Sequence, residues 1–142
     1  MCEEDVKRVV AHPVGMIGSD AASVAPYGLL GKGHPHPRTY GTFARVLGRY
    51  VREERALTLE AAVYKMTALP AAKLGLRDRG RLAPGLAADI CIFDPNTIAD
   101  RAAFEKPQQY AEGVKYVIVN GVVEVEGEEH RNRRPGRALG RE

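Results

Sequence analysis

Only two cysteines, Cys2 and Cys91, occur in 142 residues. They are far apart and lack C-x-x-C spacing. They therefore supply neither a disulfide framework nor a metal knuckle, which fits a reducing compartment and predicts a cytoplasmic location. Long apolar runs are also missing: no stretch approaches the roughly 20 residues of a membrane span. The opening MCEEDVKRVV is acidic and then amphipathic, without the basic start and apolar run of a signal peptide, so no targeting segment and no membrane partner are expected.

Charge of one sign is scarce as well. The chain carries 21 Lys and Arg against 18 Asp and Glu, a formal +3, and much of the excess gathers at Arg131, Arg133, Arg134, Arg137 and Arg141. Such a tail could attract phosphates, but no recognition helix or stacking aromatics accompany it, so no nucleic-acid partner is expected. There is no P-loop and no glycine-rich dinucleotide fingerprint. Ser19 in IGSDA lacks the second glycine of a nucleophile elbow, which leaves serine-hydrolase chemistry unsupported.

What is present reads as a globular chain, with 44% hydrophobic and 27% charged residues. Its length suits one domain or pieces of two, and falls short of a complete eight-fold α/β barrel of about 250 residues. Residues Glu3 to Ala11 read as a helix: acidic residues suit its N-terminal end, Val6, Val9 and Val10 form a stripe, and Pro13 stops it. VGMIG, residues 14–18, reads as a short buried strand that delivers Ser19 and Asp20 to its carboxyl end. This rhythm is that of an α/β barrel or an open parallel sheet.

Between Ser19 and Gly41, Gly28, Gly31 and Gly33 with Pro26, Pro35 and Pro37 mark a long loop, and a loop of that size in a compact domain is usually functional. Thr42 is expected to cap a helix with Phe43, Val46, Leu47, Tyr50 and Val51 inward, and Gly48 marks a close packing contact within it. Thr58 caps LEAAVYKM, and Pro70 restarts a short helix that Gly75 ends, with Val63, Met66 and Leu69 inward. Beyond Gly80 the chain turns to strands. ADICIFDP is stopped by Asp94 and Pro95, and Asn120-Gly121 joins two β-branched runs into a hairpin. The expected division is 1–78 and 79–142.

Three groups could carry chemistry. Asp20 is either a turn residue or a carboxylate at the mouth of a site, since polar groups past the ends of barrel strands face the active site. His34 and His36 form a His-x-His pair that invites a zinc reading, but a metal needs three or four ligands and only His12 and His130 remain, so a structural loop is the leading reading. Arg38 is either a surface arginine or a clamp for a substrate carboxylate through two parallel hydrogen bonds.

MIGSDA, HPHPRTYGTFARVLGRYVREE, the stretch from LTLEAAVYKM to ADICIFDP, YVIVNG and RPGRAL together closely resemble the C-terminal end of D-aminoacylases, the N-acyl-D-amino-acid deacylases of the amidohydrolase superfamily. The resemblance runs over nearly the whole chain. It implies an α/β fold: the last strand and helices of a (β/α)8 barrel in residues 1–78, then β-sandwich strands in 79–142. It also implies a metal-dependent hydrolase in which zinc-bound water attacks the amide of a small-molecule N-acyl-D-amino acid. Asp20 is placed as the general base and Arg38 as the candidate for the substrate carboxylate.

The zinc-binding residues of such enzymes lie upstream of the matching region, so no metal ligand is assigned here: His34 and His36 sit in a downstream element, and Cys91 lies in the β segment. Ala21 follows Asp20 where relatives usually have glycine, which matters if that position needs a positive φ. The chain alone is therefore expected to be nearly inactive and to need an upstream barrel polypeptide. Two competing readings are a non-catalytic truncated module that self-associates or binds a partner through exposed strand edges, and another amidohydrolase of the hydantoinase or dihydroorotase kind.

Overall fold

The computed structural model describes residues 2–127 and 129–140. Arg141, counted above in the basic tail, lies outside them. The described chain runs from helices to an antiparallel sheet. Helix α1 spans Glu3–Ala11, a short 3₁₀ turn Leu29–Gly31, α2 Arg38–Arg45 continued by a π-helical stretch Val46–Glu53, α3 Leu59–Met66 and α4 Ala68–Leu74. Four strands follow: β1 Ile90–Phe93, β2 Val114–Val119, β3 Val122–Glu126 and β4 Glu129–His130.

Many local signals act as the residues dictate. His12 leaves the helical region before Pro13 and ends α1. The Thr58 side chain accepts from the Ala61 amide and caps α3, and Gly75, at φ 77°, closes α4. Asn120 and Gly121 both take positive φ, which suits the tight turn between β2 and β3. The sheet order is β1-β2-β3-β4, antiparallel throughout, with Ile92 opposite Tyr116 and Val117 opposite Val125.

Three expectations need correction. Residues 14–18 are not a strand: no ladder forms there, and the Ile17 amide donates instead to the Lys65 carbonyl of α3. An apolar run becomes a strand only where a neighbouring strand accepts its backbone bonds, and none lies beside it among the described residues. Thr42 is no cap. Helix α2 already starts at Arg38, and the Thr42 hydroxyl donates to the Arg38 carbonyl. Phe43 and Val63 point outward, while Ala44, Ala62 and Lys65 take the buried positions.

The helical layer meets the sheet at Ile98, only 2% exposed, in the turn after β1. Gly48 and Gly113 press on this segment: a Cβ at Gly48 would lie 2.6 Å from the Ile98 carbonyl oxygen, and one at Gly113 2.6 Å from the Ile98 nitrogen. The close contact expected at Gly48 is thus present. Around it the helix is wound wide, with the Glu54 amide bonding back five residues to Arg49. Ala44, Val46, Leu47, Tyr50 and Ala62 complete the core.

Helix α1 buries no residue fully and is held largely by charge. Arg49 pairs with Glu3 at 2.9 Å, Tyr50 donates to Glu3, and Lys7 pairs with Glu54 at 2.7 Å. Donation by Lys7, then by Arg49, holds the Glu54 carboxyl below its usual 4.5. A carboxylate depressed in the folded state stabilises above its unfolded pKa and ceases to do so as pH falls through the folded value. The melting temperature is therefore expected to be flat above about pH 5 and to drop below about pH 4.5. Glu54→Gln should shrink that drop; an unchanged acid limb in a thermal-melt series would contradict it.

Candidate functional site

Asp20 ends the extended arm that leaves α1. Its φ of 49° turns the chain sharply, a conformation that aspartate tolerates better than most residues. The positive φ thus falls on Asp20 itself and not on Ala21, so an alanine at 21 meets no left-handed penalty. The Asp20 side chain is 86% exposed.

Arg38, the first residue of α2, grips Asp20 twice. Its Nη2 lies 2.8 Å from Asp20 Oδ2, and its Nε donates to the Asp20 carbonyl at 2.9 Å. The two residues singled out from the sequence are therefore in direct contact across the long loop. An exposed ion pair of this kind contributes at most about 1 kcal/mol, so another carboxylate can exchange for Asp20 on the guanidinium at little cost.

The HPHPR element is used to build this corner. His36 Nδ1 accepts the Arg38 amide at the start of α2, whose N-cap Pro37 offers no side-chain acceptor, and its ring packs edge-on against Phe104 with centroids 5.0 Å apart. His34 Nε2 bonds the Phe104 carbonyl at 2.6 Å. Both histidines make their bonds within this corner. Among the described residues no three His, Cys, Asp or Glu side chains converge as a metal site.

Beside Arg38 opens a cleft of about 470 Å³. His36, Arg38, Thr42, Arg45, Asp100 and Phe104 line it, and Arg45 pairs with Asp100 at 2.9 Å. Asp20 is not part of the wall and reaches the cleft only through Arg38.

Two arginines of the basic tail are paired within the fold. Arg131 pairs with Glu126 and Glu129, Arg137 pairs with Asp78, and the backbone amide of Arg133 donates to the buried Glu124.

The profile of the amidohydrolase family matches residues 4–125. The chain belongs to the amidohydrolase family. It is 50% identical over all 142 residues to an N-acyl-D-glutamate deacylase of Alcaligenes xylosoxydans xylosoxydans, of which it covers 28%. Among solved structures it resembles a D-aminoacylase, with TM-score 0.89 and 47% identity over 99% of this chain and 28% of that one. It also resembles the N-acyl-D-glutamate deacylase of Bordetella bronchiseptica in complex with zinc and a phosphonate inhibitor, with TM-score 0.78 and 47% identity over 99% of this chain and 27% of that one. This amidohydrolase chain thus spans little more than a quarter of the length of the relatives it matches.

One residue that the sequence reading passed over is Lys65. It is 4% exposed in α3, beside Ala62, and its ammonium donates to the carbonyls of His12 and Gly15. The available signal was a lysine on the apolar stripe of a helix.

Proposed function

We propose that this chain is the C-terminal part of an enzyme that hydrolyses the amide bond of N-acyl-D-amino acids to a carboxylate and a free D-amino acid. Residues 1–78 would close a (β/α)8 barrel and 79–142 would contribute β-sandwich strands. The observation that carries this reading is likeness over essentially the whole chain to deacylases of N-acyl-D-amino acids.

Among the described residues no cluster of ligands is built for a zinc like that bound by the Bordetella bronchiseptica enzyme, and Asp20 stands there as an exposed carboxylate without converging ligands. The part of Asp20 and Arg38 in this reading is acid–base and binding chemistry. Asp20 directs one oxygen to Arg38 and presents the other to solvent. As base it would take a proton from the water that attacks the carbonyl and return it to the departing nitrogen as the C–N bond breaks. Arg38 would hold the amino acid's carboxylate, a task suited to a planar guanidinium. The adjacent cleft is within the size range of small-molecule sites.

Exposed Val14, Met16, Leu29 and Leu30 flank the arm and the loop. Exposed apolar side chains such as these suit burial by the remainder of a barrel, and self-association is the competing use of them. The test joins this chain to the upstream part of the Alcaligenes N-acyl-D-glutamate deacylase in place of that enzyme's matching segment. With zinc, the chimera should hydrolyse N-acetyl-D-amino acids and spare the L-forms, while the 142-residue chain alone should show no turnover. A folded chimera without turnover, or equal activity of the isolated chain, would overturn the proposal.

A further inference from the structure

We propose that Lys65 is a positioning residue for Asp20, bracing from α3 the arm that carries the carboxylate. The inference rests on the proposed role of Asp20. Residues 15–20 have no sheet partner, so something else must fix where Asp20 sits. Arg38 holds its carbonyl and carboxylate from one side. On the other side a single residue supplies three attachments: Lys65 Nζ donates to the carbonyls of His12 and Gly15, and the Lys65 carbonyl accepts the Ile17 amide at 3.2 Å.

Lysine is almost never buried to this extent unless its charge is met. Here it is met by the His12 and Gly15 carbonyls just past the last turn of α1, where the helix dipole favours a cation. Gly15 makes the approach workable: a Cβ there would lie 3.0 Å from the Val9 carbonyl oxygen and 3.3 Å from that of His12. Helix packing alone does not require a charge at this place, since an apolar side chain beside Ala62 would fill it without desolvating an ammonium. What the lysine adds is direction. Its ammonium fixes the backbone at positions 12 and 15, and so sets where Ile17, three residues short of Asp20, meets the Lys65 carbonyl.

The test is amide hydrogen exchange on the full 142-residue chain, comparing Lys65→Met with Thr58→Ala, which loosens α3 by removing its cap and leaves the ammonium in place. Lys65→Met should speed exchange of the hydrogen-bonded Gly15 and Ile17 amides in 15–20 by about tenfold or more while β2 and β3 keep their protection. Thr58→Ala should leave residues 15–20 protected, and Lys65→Arg, which keeps the charge, should restore most of the protection. Lys65→Gln replaces the methionine variant if that one does not fold. Unchanged exchange at 15–20 in the charge-removing variant, or an equal loss in Thr58→Ala, would overturn the inference.

In the chimera, Lys65→Met should lower kcat by about tenfold or more at nearly constant KM, as expected of a displaced reacting group. The two readings fail separately. If Asp20→Asn leaves turnover intact, the base assignment falls. If Asp20→Asn abolishes turnover but residues 15–20 exchange normally without the ammonium, only the role of Lys65 falls.

Discussion

Asp20→Asn in the chimera is expected to reduce kcat by about 10²- to 10⁴-fold, the usual contribution of a positioned acid–base group, with KM nearly unchanged. The substitution is nearly isosteric and keeps an oxygen for Arg38, which lies 2.8 Å from the carboxylate, so the corner at the start of α2 should persist. Only the capacity to take and return a proton is removed. Asparagine also tolerates the left-handed backbone that residue 20 adopts, so the turn itself is not strained by the change. Steady-state kinetics on N-acetyl-D-glutamate would check this. A fall confined to KM would instead make Asp20 a binding group.

The largest expected loss of stability comes from Gly113→Ala. At φ 82° a Cβ is disfavoured whatever the space, and here it would also lie 2.6 Å from the Ile98 nitrogen and 2.7 Å from its Cα. The obstructing atoms are backbone, so they cannot rotate away. The left-handed conformation costs about 1–2 kcal/mol and overpacking about 1–3 kcal/mol. A total destabilisation of about 3 kcal/mol is expected, enough to leave a marginal fold partly unfolded. Denaturant titration would measure it. Gly121→Ala is the contrast: that glycine has a similar φ of 79° but nothing within 4 Å, so only the conformational part should remain.

The same contrast separates what was legible in the sequence from what was not. Local chemistry was legible. Thr58 caps, Gly75 stops a helix, and Asn120-Gly121 turns a hairpin because each effect is set by residues within one turn of each other. Gly48 was readable as a close contact, though not its partner, because Ile98 lies fifty residues along the chain and only the fold brings it near. The contact between Asp20 and Arg38 was not derivable either, although both residues had been singled out.

Where pattern failed, a tertiary partner decided. The run at 14–18 has the composition of a strand, but a strand exists only with a ladder, and this one finds the carbonyl of a helix. Phe43 and Val63 are apolar and yet exposed. Period alone cannot separate a core face from a surface that a further part of the polypeptide would cover. Lys65 is the converse, a buried charge whose acceptors arrive from a segment fifty residues earlier.

The assignment of Asp20 as the proton acceptor is tested most directly by chemical rescue. In the chimera carrying Asp20→Ala, added formate is expected to raise the residual turnover in proportion to its concentration, and to leave the unsubstituted chimera unaffected, because a free carboxylate then replaces the missing one. Turnover by the alanine variant within about tenfold of the original, with no response to formate, would contradict a general base at this position.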